Sequence, residues 1–137
     1  MTDIARLQEE NHQLLALCDV LDVLLAQLPL RTNPITCELL GRLHEKLSIH
    51  LCHEDRDAYQ RLLAGDTEAK TVASQFISNT HELNRILERH GTRWCARTAP
   101  HDSETYAAET RDILRMLRRR IELEETRLFP VVARQPG

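Results

Sequence analysis

The stretch HLCHEDRDAYQRLL, residues 50–63, decides the fold. Upstream of it Leu39, Leu43 and Leu47 recur at helical spacing, and His50 and Glu54 fall on the face that these leucines define. An imidazole and a carboxylate four positions apart on a helix stand one turn apart on one side, close enough to share a cation. Burying either without a partner is costly. A divalent first-row metal suits such mixed nitrogen and oxygen ligands.

Working outward from this stretch, the same three-to-four spacing runs through the whole chain, and no strand pattern competes with it. The second helix begins near Pro34, a first-turn proline, and ends before Gly65-Asp66. A first helix is expected from about Thr2 to Leu28, with Leu7, Leu14, Cys18, Leu21, Leu25 and Leu28 on one seam, stopped by the segment PLRTNP at 29–34. A third runs from about Thr67 to Arg97. Ala73, Phe76, Thr80, Leu83, Leu87 and Trp94 form its stripe, flanked by Ile77 and His81, and Gly91 weakens its end. The fourth starts after Ala99-Pro100-His101 with Asp102 or Ser103 as N-cap, and turns Ile113, Leu117, Arg120, Glu124 and Leu128 inward until Pro130 stops it. Four amphipathic helices with short connections specify an all-α, antiparallel up-down four-helix bundle.

The chain has 137 residues, 42% of them apolar, which is enough for one core and predicts a single domain over 1–137. No run approaches the ~20 apolar residues of a membrane helix, and the N-terminus lacks the basic and apolar regions of a signal peptide, so a soluble, cytoplasmic protein is expected. The net charge of −3 is mixed along the chain. A basic knot at Arg118, Arg119 and Arg120 falls short of the stripe that nucleic-acid binding uses. Four cysteines, Cys18, Cys37, Cys52 and Cys95, include no C-x-x-C pair and read as small core or surface residues without disulfides.

Each helix interrupts its apolar face with a metal-capable side chain: His12, then His50 and Glu54, then His81, then Glu124. With these residues placed, the chain resembles the hemerythrin-like (HHE cation-binding) family. The segment from His50 is similar to that family's signature of a His, three residues, a Glu and an acidic neighbour ahead of an aromatic. The segment RIELEETRLFP, residues 120–130, matches its closing motif of a His, three residues, a Glu pair and Leu-Phe-Pro, except that Arg120 stands where the family has His. The resemblance implies His12, His50, Glu54, His81 and Glu124 as metal ligands, with one or two non-haem iron ions. In the family two irons share two bridging carboxylates. The set His12, His50, Glu54 and Glu124 is complete here, whereas the other ion would keep only His81 besides the bridges. The implied function is binding or sensing a small diatomic ligand such as O2 or NO, or handling iron, with an incomplete, mononuclear site.

A rival of a different class uses the same residues. Arg120 lies four positions before Glu124, so its guanidinium can pair with Glu124 or Glu54 and stand in for a cation, giving a metal-free interaction or regulatory module. Arg120 turned outward with Arg118 and Arg119 is a third arrangement. A homodimer or protein partner is left open. Other chemistries fail on spacing: His53-Glu54 is not followed by H-E-x-x-H because position 57 is Asp57, and only Glu9 and His12 have the Glu-x-x-His spacing that a ferritin-like site needs on two helices. His44, His90 and His101 are read as surface residues, and Cys52 beside His53 as no nucleophile, since neighbouring helical side chains diverge by ~100°. No phosphate loop, dinucleotide motif or separate nucleophile suggests an enzyme.

Overall fold

The computed structural model describes residues 3–27, 34–96 and 102–136. Four helical arms form the bundle. The first is α1 (Asp3–Leu25); the second joins α2 (Pro34–Glu54), a π-helical turn at Asp55–Tyr59 and α3 (Gln60–Leu63). The third is divided into α4 (Thr67–Ile77) and α5 (Glu82–Trp94), and the fourth runs as α6 (Ser103–Leu123), a second π-helical turn at Glu124–Leu128 and α7 (Phe129–Ala133). Around the bundle α1 packs on α2 and α6, and α5 packs on α2 and α6, so each arm lies between its sequence neighbours.

The local chemistry explains the ends. Asp66 caps α4 by accepting from the Ala69 amide, and Asp102 caps α6 by accepting from Thr105. Gly65 makes the exit before α4, where an added Cβ would stand 2.9 Å from the Ala69 Cβ. Gly91 does not end the third arm, since α5 continues through Trp94. Residues 29–33 of the expected stop, the first helix's end residues Thr2 and Leu28, the third helix's last residue, Arg97, and His101 lie outside the described residues, while Pro34 opens α2.

Pro130 does not stop the fourth arm. It sits in the first turn of α7, directly after the π turn, where a residue without an N–H is tolerated because the ladder is already interrupted. The cysteines also need correction. Cys37 and Cys95 form a disulfide with Cα atoms 5.7 Å apart, while Cys18 is buried and Cys52 exposed as free thiols. Antiparallel packing brings the start of α2 to the end of α5, which puts two residues 58 positions apart within bridging distance. In the chain-entropy view, closing a loop of that length stabilises the fold by about 4 kcal/mol.

Two apolar clusters fill the interior. Leu14, Leu21, Leu43, Leu47, Leu87 and Leu117 belong to one, and Leu7, Leu62, Phe76, Leu128, Phe129 and Val132 to the other. On every arm a buried polar residue falls between them: Asn11, His50 and Glu54, Thr80, and Glu124. A polar layer therefore crosses the core, and its composition is where function has to be sought.

Candidate metal centre

His50 Nε2 lies 2.9 Å from Glu54 Oε2 and 3.0 Å from Glu124 Oε1, and all three side chains are excluded from solvent. The two carboxylates enter from α2 and from the start of the second π turn, so each marks the point where its arm widens by one residue per turn. Such π turns recur at functional sites. They also let both Ala58 and Tyr59 follow Glu54 into the core, and both Leu128 and Phe129 follow Glu124.

Most polar atoms around the two carboxylates have a partner. His50 Nδ1 donates to Glu10 Oε1 at 2.8 Å, and the other oxygen of Glu10 meets His53 Nδ1 in a short contact. Glu54 Oε1 accepts from the Tyr59 hydroxyl at 2.6 Å and from Arg120 Nη2 at 2.9 Å. Glu124 Oε2 accepts from Arg120 Nε at 3.0 Å, and its Oε1 accepts from Asn11 Nδ2 at 3.1 Å. The Tyr59 oxygen also lies 3.1 Å from the Thr80 hydroxyl, which is within hydrogen-bond distance of the Phe76 carbonyl as well.

The electrostatics follow from this geometry. Burial opposes a charge on His50, but hydrogen bonds to Glu10, Glu124 and Glu54 outweigh it and push its pKa up to about 11, so the ring is an imidazolium. Glu54 is driven up by burial and driven down further by its hydrogen bond to His50, by Glu124, which carries any proton the two share, and by the Arg120 charge, and ends below the usual carboxylate range. Glu124 is raised by burial and by the neighbouring Glu54 charge. Two cations, imidazolium and guanidinium, thus accompany two buried carboxylates.

Three residues present a donor set that fits a metal ion. His50 Nε2, Glu54 Oε2 and Glu124 Oε1 belong to a group whose donor atoms all lie within 4.8 Å of one another, and Glu54 Oε2 takes no hydrogen bond from any other described residue. Glu10 on Nδ1 is the carboxylate partner that orients metal-binding histidines. On the opposite side the outer oxygens of both carboxylates are occupied by Arg120, which is the counter-ion arrangement and not the outward one.

The structure does not bring His12 or His81 to this cluster. The His12 side chain is 72% exposed and nearest to Glu9, and that of His81 is 61% exposed at the break between α4 and α5, 3.7 Å from Asp55. In each arm the residue one position earlier faces inward instead, Asn11 and Thr80. The seam Leu7, Leu14, Cys18, Leu21 already skips position 12 and includes position 11, a signal that the histidine obscured. Glu10, Tyr59 and Glu125, which accepts from Asn11 and Gln8, were likewise missed. His90 is buried and not at the surface: it continues the Leu83 and Leu87 stripe, stacks on Tyr106 and hydrogen-bonds Thr110.

The hemerythrin HHE cation-binding domain family matches residues 2–132. A match over nearly the whole chain means that the protein belongs to this family. No curated protein and no solved structure matches it.

Proposed function

We propose that this family member binds one iron ion through His50, Glu54 and Glu124, and that a small diatomic ligand, O2 or NO, is bound or sensed there. The observation that carries the reading is the convergence of one imidazole and two carboxylates, with Arg120 occupying the side where a second ion would need the same oxygens. Bound iron would supply an exchangeable coordination position and one-electron chemistry. The chain's own residues do the rest. Glu10 holds the His50 ring in line, and Asn11 and Tyr59 fix the carboxylates. His50 gives up its proton on ligation, so metal competes with a proton for Nε2.

Iron is expected at no more than one equivalent per chain. His50→Ala and Glu54→Ala should abolish binding, whereas His12→Ala and His81→Ala should keep it. Elemental analysis of protein from iron-replete cells checks the ratio, and two tightly held ions would refute it. The thermal stabilisation given by metal at ~100-fold over its dissociation constant, about 2.7 kcal/mol, should vanish in His50→Ala.

One observation favours a second reading. Imidazolium and guanidinium already accompany the buried carboxylates, as a metal-free regulatory module would require. Protein that takes up no iron while remaining folded decides for it. No helix among the described residues is long and apolar enough to cross a membrane. We place the protein in the cytoplasm, a location against which the Cys37–Cys95 disulfide counts, since such bonds persist in oxidising compartments.

A further inference from the structure

Between the third and fourth arms lies a cavity of about 480 Å³, within the size range of small-molecule sites. Its wall is apolar: Phe76, Leu83, Ile86, Met116 and Leu123. Its charged lining is one-sided. Arg119, Arg120 and Arg127 face a single acid, Glu82, which is already engaged by Arg85 and Arg89.

The three arginines differ in what they have to spare. Arg119 pairs with Glu122 at the surface. Arg127 makes no ion pair or hydrogen bond among the described residues. Arg120 is fixed through Nε and Nη2 by Glu54, Glu124 and Tyr59 and sits 5.9 Å over the Phe76 ring, while its Nη1 takes no partner among the described residues. A guanidinium held in place with unused donors loses little freedom when it meets an anion.

We propose that this cavity binds an apolar monocarboxylate, an acid of the fatty or arylalkanoic type, with its carboxylate at Arg127 and the unused edge of Arg120 and its hydrocarbon body against Phe76, Leu83 and Met116. Apolar walls alone would accept any greasy molecule. Arg127, without a partner among the described residues, selects the anion together with the spare Arg120 donor, because a charge-assisted bond to guanidinium is available only to it. The site adjoins the carboxylate pair through Arg120, whose Nε and Nη2 remain on Glu54 and Glu124, and its occupancy does not require bound metal.

Octanoate is the probe, titrated calorimetrically into the full chain, both as purified and after metal removal by chelator. One saturable site per chain is expected in both preparations. 1-Octanol and octylammonium should bind at least tenfold more weakly. Arg127→Ala should lose about tenfold in octanoate affinity, the size expected for one charged hydrogen bond. Met116→Trp should lose binding by filling the cavity, and Arg134→Ala, whose side chain pairs with Glu68 elsewhere, should bind as the parent does. Octanol binding as tightly as octanoate, an unaffected Arg127→Ala, or no heat at millimolar octanoate would each overturn the proposal.

Discussion

Residues 50–59 and 120–129 run the same course on opposite arms. Each begins with a long nitrogen side chain, His50 or Arg120, places a buried carboxylate four positions later, Glu54 or Glu124, opens a π turn there, and buries an aromatic residue five positions further on, Tyr59 or Phe129. They differ at two of these positions. His50 can trade its proton for a metal, whereas a guanidinium is a permanent cation and cannot. Tyr59 carries a hydroxyl that donates to Glu54, while Phe129 sits wholly in the apolar cluster. The comparison teaches that one backbone plan can set a titratable imidazole against the two carboxylates on one side and a permanent cation on the other, with a single ring of hydrogen bonds joining them.

The largest break in this arrangement is at Arg120. Arg120→Ala removes the charge between two buried carboxylates, and losing one side of a buried pair costs about 3 to 5 kcal/mol. Urea denaturation of metal-free protein measures it, and a loss below ~1 kcal/mol would mean that Arg120 is not their counter-ion. Arg120→His makes the fourth arm resemble the second. It should share part of that loss in the metal-free state, and the metal-to-protein ratio at high iron should rise above one, because the replacement imidazole faces the same two carboxylates without a repelling charge.

Swapping the aromatic residues has a smaller effect. Tyr59→Phe leaves Glu54 with one donor fewer and frees Thr80 and Arg120 of a shared partner, so a loss of about 1 to 3 kcal/mol is expected in the same denaturation experiment. The reverse exchange, Phe129→Tyr, buries a hydroxyl among Leu7, Leu62 and Val132 and should cost a similar amount. If Phe129→Tyr were neutral while Tyr59→Phe was costly, the fourth arm would have a hidden polar partner for the ring.

The bundle was legible because Leu43, Leu47, Leu117 and Leu128 repeat at helical spacing, and His50, Glu54 and Glu124 because polar residues on that face demand a reason. What hid the rest was local. His12 and His81 drew attention as metal-capable types, but Asn11 and Thr80 hold the inward register, and an Asn or Thr on a seam carries no strong chemical signal. The break at 78–81 has no proline or glycine to announce it. The π turns are equally silent, since they arise from packing two consecutive residues inward and not from propensity. Cys37 and Cys95 could not be paired by spacing, because only the antiparallel order of α2 and α5 brings them together.

The smallest expected effect concerns the two buried histidines, which the fold treats in opposite ways. His50, among three carboxylates, is held charged, whereas His90 is buried against Tyr106 and Thr110, and burial lowers its pKa. Glu109, 3.7 Å from Nδ1, pulls the other way without prevailing, and Arg93 adds to the lowering. A raised pKa contributes stability fully below the unfolded value near 6.5 and loses it only as pH rises toward about 11, so His50 is neutral to acidification between pH 6.5 and 5. A lowered pKa does the reverse: His90 contributes above 6.5 and its contribution drains away as pH falls toward its folded value. Glu54, held low, gives up its share only when pH falls below the ordinary carboxylate range. Glu124, raised to about 7, takes up its proton over the same interval and adds stability on acidification in parent and variant alike, so it is the difference between the two that isolates His90. Thermal melts of metal-free parent and His90→Gln across that interval should converge on acidification, the parent losing melting temperature faster because it alone must keep an uncharged imidazole. Parallel slopes would mean that His90 is protonated in the fold and pairs with Glu109, which would make it a second His50 and leave the two ends of the bundle alike.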